Sequence, residues 1–166
     1  TGEAAGANVS HIQAVRFAVD ELNVQGGIVG KKIELLEFDN QSTPTRAKLA
    51  ARKAIKARVT AVIGASWSSH SIAMAPLFQK AKIPMISPDS TNPAVTKKGD
   101  YIFRACFIDP FQGEVLAKFS RKEFQAQTAV IMTKITSAYS IGLAEMFEKH
   151  FVNQQGKILR EFEYQG

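Results

Sequence analysis

The chain has 166 residues, of which 45% are hydrophobic and 22% charged, a composition typical of a globular protein. No run of about 18 apolar residues occurs, so no membrane-spanning helix is predicted, and the single cysteine excludes an internal disulfide. The net charge of +6 comes from scattered lysines and arginines without interleaved aromatics, so solvated surface charge is expected and no nucleic-acid binding.

The first part of the chain predicts two helices. Apolar residues recur at helical spacing until Gly26 and Gly27, whose positive φ suits a helix end. Thr43 as cap and Pro44 in the first turn predict the start of a second helix that runs to about residue 57. The apolar positions of the first helix are Val9, Ile12, Phe17, Ala18 and Leu22.

Strand and helix patterns alternate along the whole chain. This alternation with short connections predicts an α/β fold, with a parallel sheet that carries helices on both faces. The first helix has no strand before it and the last strand has no helix after it, so we expect either a piece of a longer polypeptide or a fold whose missing parts come from elsewhere. The predicted strands cover residues 32–40, 59–64, 83–87, 101–105, 128–133 and 157–164, and the later helices cover 69–82, 111–124 and 139–153.

Three polar segments follow predicted strands, at residues 65–71, 88–92 and 134–140. Ligands of open parallel sheets bind beyond the carboxyl ends of the strands. The first segment is rich in hydroxyls and enters a helix, whose N-terminal N–H groups suit a carboxylate. Capping of that helix by Ser68 or Ser69 is the alternative interpretation.

The other two segments also allow two interpretations each. The backbone carbonyl of Asp89 and the hydroxyl of Thr91 suit an ammonium group, but the same residues suit a simple turn. Tyr139 opens a helix and either packs over a ligand or anchors that helix. Trp67 either lines the pocket or covers the edge of the sheet.

Enzyme, metal and cofactor signatures do not occur in the sequence. It has no phosphate-binding loop, no G-x-G-x-x-G and no G-x-S-x-G. His11, His70 and His150 lack metal-ligand spacing and are expected to be surface or helix residues. A hydrolase in which His70 serves a nearby serine as base would need a third residue to orient the histidine, and none is identifiable.

Several stretches together resemble the type I periplasmic solute-binding proteins, in particular the branched-chain amino acid (Leu/Ile/Val) branch that serves ABC transporters. Singly they are weak, but in this order and spacing they are specific. They are 19–23 (VDELN) followed by 26–28 (GGI) and Gly30; 33–39; 62–64 with Ser68 and Ser69; 83–88 followed by 90–93 (STNP); Arg104 with Asp109 and 112–113; and Tyr139 with 142–143.

The resemblance implies a protein that closes two lobes around an amino acid or similar zwitterion. Ser68, with Ser69 beside it, matches the serine that grips the ligand carboxylate. Asp89 and Thr91, with Ser90 between them, match the loop that holds both ends of the ligand. Tyr139 matches the tyrosine of the second lobe. Asp89 stands where a small residue is common, and the bulky Trp67 is expected to narrow the pocket.

The resemblance also sets expectations for organisation and context. Residues 1–113 would form most of the first half of lobe one, without its first strand, and residues 114–166 the start of lobe two. The expected partner besides the amino acid is the membrane permease of an ABC importer, in the periplasm or tethered outside the membrane. The alternative is a ligand-sensing ectodomain of a receptor with the same fold.

Overall fold

The computed structural model describes residues 1–3 and 5–165 of the chain. The described residues form five helices and five strands, mostly where the sequence predicts them. The helices are α1 (Val9–Val24), α2 (Pro44–Lys56), α3 (Ser68–Ala81), α4 (Asp109–Lys122) and α5 (Ala138–Asn153), the strands are β1 (Val62–Ile63), β2 (Met85–Ser87), β3 (Ile102–Arg104), β4 (Thr128–Lys134) and β5 (Lys157–Tyr164), and 3₁₀ turns lie at Gly6–Asn8 and Thr96–Lys98.

The strands form two separate parallel sheets. In the first, β2 lies between β1 and β3, with Met85 opposite both Val62 and Ile102. In the second, β4 pairs with β5 from Thr128 opposite Lys157 to the far end, with one irregularity after Ala129. We call β1–β3 with α2 and α3 the first unit, and β4 and β5 with α4 and α5 the second unit.

The main core lies in the first unit, where α2 and α3 cover the sheet. The buried face of α2 consists of alanines spaced three and four residues apart, which form one stripe of the helix. These small side chains let α3 approach closely, and Phe78 of α3 is completely buried against them. The alanines are Ala47, Ala50, Ala51 and Ala54.

The second unit is held together by close contact between α4 and α5. Gly113 allows this contact, because a Cβ atom there would lie 2.6 Å from Cβ of Met146 and 2.8 Å from the backbone nitrogen of Phe147. Phe151 is completely buried beneath these helices. The predicted lobe boundary at residues 113/114 falls inside α4, which is continuous.

Residues 32–40 were predicted to be a strand, and this prediction is wrong. The segment pairs with no strand among the described residues, and a ladder requires a backbone partner. The side chain of Asn23 satisfies the backbone of Ile33 instead: Asn23 Nδ2 donates to Ile33 O (2.9 Å), and Ile33 N donates to Asn23 Oδ1 (2.6 Å). The segment is further held where Arg16 forms an ion pair with Glu37.

The remaining differences concern exposure and element length. The first helix forms as predicted, but α1 buries none of its described residues, and Phe17 is 69% exposed. Only residues 62–63 of the predicted strand 59–64 are paired, and their single neighbour is β2. The helix expected at 69–82 is α3, which runs through Pro76 without ending. None of the described helices is both long and apolar enough to cross a membrane.

Candidate functional site

A cleft of about 200 Å³ lies beyond the carboxyl ends of β1 and β2 and beside the start of α5. All three predicted polar segments contribute to it. Its lining residues are Ser66, Trp67, Ser68, Asp89, Thr91, Phe107, Gln112, Ser137 and Tyr139. A larger hollow of about 390 Å³ lies along the outer face of α2, but its lining is largely the exposed, charged side of one helix and contains none of the predicted site residues.

Buried hydroxyls fix the loop after β2 to the loop after β1. Ser87 Oγ, at the end of β2, donates to Ala65 O (2.6 Å). Ser90 Oγ donates to Ser66 O (2.9 Å) and lies 2.8 Å from Ser71 Oγ. Ser90 is completely buried and does not line the cleft, so its hydroxyl is occupied in holding the two loops together.

Ser68 and Thr91 lie on the same side of the sheet, as the carboxyl ends of neighbouring parallel strands require. Ser68 Oγ accepts a hydrogen bond from Asn92 N (3.2 Å), the residue next to Thr91. Arg104, at the end of β3, fixes this loop from behind by donating to Ser90 O (2.7 Å) and Asn92 O (3.0 Å). The loop therefore presents Thr91 to the cleft in a fixed position.

The N-terminus of α3 opens at the cleft without a side-chain cap. The residue at the cap position is Trp67, which makes no capping hydrogen bond. Ser68 and Ser69 follow at the first two helical positions, where backbone N–H groups have no partner inside the helix. Ser69 itself does not line the cleft. The alternative interpretation, capping by Ser68 or Ser69, is wrong, because both residues lie inside the helix.

Thr91 carries a buried hydroxyl that lies near the buried carboxyl of Asp109. The residue is 7% exposed, and its Oγ1 makes no hydrogen bond of good geometry with any described residue. Behind it lies Asp109, which is completely buried and donates its backbone N–H to Thr91 O (3.0 Å). Burial raises the pKa of the Asp109 carboxyl, while the nearby Thr91 hydroxyl and the charge of Arg104 act in the opposite direction.

The second unit brings Tyr139 and Gln112 to the cleft. Gln112 Nε2 donates to Tyr139 OH (3.1 Å), and the buried Gln112 Oε1 has no partner among the described residues. Asn92 Nδ2 donates to Ala138 O (2.8 Å) and so joins the first unit to the start of α5. Gly142 allows this approach, because a Cβ atom there would lie 2.7 Å from Asn92 Nδ2.

Asp89 lines the cleft and contacts α1. Its Oδ2 lies 3.0 Å from His11 Nε2, and both side chains are partly exposed. His11 was expected to be a surface or helix residue, and no pattern in the sequence indicates this contact. Phe107 and Gln112 were also not predicted as lining residues; Gln112 was noted only in the stretch that resembles the family.

The arrangement suits binding better than chemistry. His70 stacks on Trp67, with ring centroids 5.4 Å apart, and interacts with the backbone of Ser42. Burial lowers the pKa of His70. Among the described residues no hydrogen bond joins His70 to Ser66 or Ser68, and no group of three His, Cys, Asp or Glu side chains is placed to hold a metal. What remains is a small cleft lined by neutral donors and acceptors and by the carboxylate of Asp89.

Two parallel α/β units lie beside a cleft at the carboxyl ends of their strands, where ligands of such sheets bind. The chain belongs to the Periplasmic binding protein family, whose sequence model matches residues 1–166. This match confirms the resemblance found in the sequence, and the expected α/β class with parallel sheets is confirmed as well. The family consists of binding proteins.

Several of the relatives that the chain matches are named for branched-chain amino acids. It is 33% identical over 132 residues to a Leu/Ile/Val-binding protein of Rhizobium johnstonii, over 79% of this chain and 36% of that protein. It superposes with a TM-score of 0.92 and 30% identity on a branched-chain amino acid transporter substrate binding protein of Streptococcus pneumoniae in complex with isoleucine, over 100% of this chain and 47% of that one.

A leucine binding protein of Thermotoga maritima superposes with a TM-score of 0.82 and 37% identity, over 89% of this chain and 42% of that chain. The chain therefore spans less than half the length of each of these relatives.

Proposed function

We propose that this chain is part of a solute-binding protein of an ABC importer, and that its cleft holds an amino acid or a similar small zwitterion. The observation that carries the proposal is the uncapped N-terminus of α3 at the cleft, beside the buried hydroxyl of Thr91. Helix N-termini attract anions through free N–H groups and the helix dipole. A ligand carboxylate at this point would satisfy the first turn of α3 and accept a hydrogen bond from Thr91.

The size and lining of the cleft support a ligand as small as an amino acid. Its volume of about 200 Å³ lies below the roughly 300–1,000 Å³ of pockets for drug-sized molecules. Trp67, Phe107 and Tyr139 supply aromatic surface for an apolar side chain. Tyr139 accepts from Gln112, so its own hydroxyl proton is directed elsewhere and is free to reach a ligand oxygen.

Closure would bring the second unit onto the ligand. We place the boundary between the units at residues 105–108, which join β3 to α4 without regular structure, rather than inside α4. A short connection of this kind absorbs the dihedral change of a hinge. The names of the relatives support the remaining parts of the proposal: delivery to a membrane permease, a periplasmic or membrane-tethered location outside the cell, and no catalytic activity.

Calorimetric titration of the full-length protein with a panel of amino acids tests this proposal. We expect saturable binding of at least one amino acid, with branched-chain members the first candidates. Bound ligand at about 100 times its Kd should raise the free energy of unfolding by about 2.7 kcal/mol. Ser68→Ala should weaken binding about tenfold or more through the lost hydroxyl.

Ser120→Ala is the matched control, because Ser120 lies on α4 about three turns from its start and does not line the cleft. It should leave the Kd unchanged. If no amino acid binds to the wild-type protein, the proposal is wrong.

A further inference from the structure

We propose that the carboxylate of Asp89, held in place by His11, is the counter-charge for the ligand ammonium in the cleft. The ligand class would then be amino acids, and carboxylic acids of the same shape that lack the amine would bind much more weakly. This inference rests on the proposed function, since it assigns the second charged end of the same ligand.

The residues that line the cleft carry little charge to meet a ligand ammonium group. Of the described residues that line the cleft, Asp89 alone bears a formal charge. The nearby cation Arg104 donates to backbone carbonyls of the loop and to Thr96 Oγ1, so its donors are directed away from a ligand. A zwitterion whose carboxylate lies at the start of α3 therefore meets one complementary charge for its other end.

The carboxylate of Asp89 is placed where a ligand in the cleft can reach it. Its Oδ2 lies 3.0 Å from His11 Nε2, while its Oδ1 has no partner among the described residues and can accept from an ammonium group. The side chain of Asp89 is 45% exposed, so a ligand can reach it. The contact with His11 Nε2 occupies only one oxygen of the carboxylate, so the other stays available to a ligand.

His11 is itself held by its own helix. Its Nδ1 lies 3.3 Å from Asn8 Oδ1, and Asn8 is the residue three positions earlier, which places the two side chains on one face at the start of α1. His11 therefore acts as a positioning residue: it limits the rotamers of Asp89 without touching the ligand. A flexible, unrestrained carboxylate would lose part of its binding energy to side-chain entropy.

The test compares two ligands that differ only in the amine. Calorimetry on the full-length protein would measure the Kd of L-leucine, or of the tightest amino acid in the panel, and of its analogue without the amine, 4-methylpentanoate for leucine. We expect Asp89→Asn to weaken amino acid binding about tenfold or more and to leave the analogue unchanged or slightly tighter. Asp20→Asn on α1 removes the same charge away from the cleft and should change neither Kd.

A second pair of variants tests His11. His11→Ala should lower the ratio of amino acid affinity to analogue affinity about threefold, and His11→Gln, which keeps an N–H donor, should restore much of that ratio. A merely structural role would weaken both ligands equally and leave the ratio unchanged. Equal thermal melting of the variants would show that the fold is intact, since Ala and Gln are both good helix formers at this exposed position.

The outcomes separate this inference from the proposed function. If the wild-type protein binds no amino acid, the proposed function and the assignment of Asp89 are both wrong. If it binds amino acids and Asp89→Asn keeps the wild-type ratio, the assignment of Asp89 is overturned while the proposed function stands. A lower ratio in Asp89→Asn without any change in His11→Ala would overturn the positioning role of His11 alone.

Discussion

The helices α3 and α5 both begin at the cleft, each after a parallel strand, and they differ in how their first turns are satisfied. At the start of α5, Ser137 Oγ accepts from Ser140 N (3.3 Å), and Ser140 Oγ accepts from Lys134 N (2.9 Å). At the start of α3 the cap position holds Trp67, whose indole N–H can donate but cannot accept. The first turn of α5 is capped by its own residues, whereas the first turn of α3 has no side-chain cap.

This difference separates the roles of the two helices. An uncapped first turn leaves N–H groups unsatisfied, which costs stability unless water or a ligand supplies an acceptor. The open start of α3 lies beside Thr91, so the unsatisfied groups of the first unit cluster on one wall of the cleft. The closed start of α5 contributes the side chain of Tyr139 instead. The first unit would thus bind the ligand anion, while the second unit covers it.

The largest effect on ligand affinity is expected from a substitution that caps the N-terminus of α3. Asp at position 67 would cap the helix and place a negative charge where the ligand carboxylate is proposed to lie. Compared with Trp67→Ala, which also removes the indole, Trp67→Asp should be more stable by about 0.5–2 kcal/mol. It should bind the amino acid at least about tenfold more weakly, because hydrogen bonds to charged groups contribute about 1.5–3 kcal/mol.

Chemical denaturation and calorimetry on the two variants measure both quantities. The comparison between variants removes the contribution of the lost stacking on His70, which both share. Equal affinity of the two variants would show that the start of α3 does not receive the ligand anion.

A smaller, opposite effect is expected at α5. Ser137→Ala removes the cap and should lower the free energy of unfolding by about 0.5–2 kcal/mol, with less than about a threefold change in Kd. Thr43→Ala is the matched control, because Thr43 caps α2 by accepting from Arg46 N (3.2 Å) far from the predicted site residues. Both variants should lose similar stability in urea unfolding. A large loss of affinity in Ser137→Ala alone would mean that this serine contacts the ligand.

Much of the fold could be predicted because the signals are local. Periodicity and caps are properties of neighbouring residues, so α2, with Thr43 and Pro44 at its start, was predicted almost to the residue. The strand at residues 32–40 was not, because an extended pattern does not reveal whether a partner strand lies beside it. The exposure of α1 has the same origin: a helical stripe shows which face is apolar, not what covers it.

The candidate site shows the same limit. The convergence of the first two loops could be predicted, because the ends of neighbouring parallel strands meet at one edge. The third loop follows a strand of the separate second sheet, so this rule does not explain its approach. The sequence does not show that Ser68 lines the cleft while Ser90 is buried behind it. This difference depends on which hydroxyl has a buried partner across the loops. The contact between His11 and Asp89 joins residues 78 positions apart in sequence, and no local pattern predicts it.

The smallest expected effect concerns acid stability of the first turn of α3. Burial lowers the pKa of His70, so the folded state binds fewer protons than the unfolded state between that lowered value and the ordinary value of about 6.5. The stability that a neutral His70 contributes is therefore present above about pH 6.5 and is lost as the pH falls through the folded-state pKa. The slope from one such group cannot exceed about 1.4 kcal/mol per pH unit.

Urea unfolding of the wild-type protein and of His70→Gln between pH 7.5 and 5 measures this slope. The wild-type protein should lose stability on acidification faster than the variant, because glutamine does not titrate. Identical slopes would mean that His70 is as accessible to protons as in the unfolded chain. The start of α3 would then be looser than its contact with Trp67 indicates, and a ligand would have to order that turn on binding, whereas the start of α5 is ordered by its own serine.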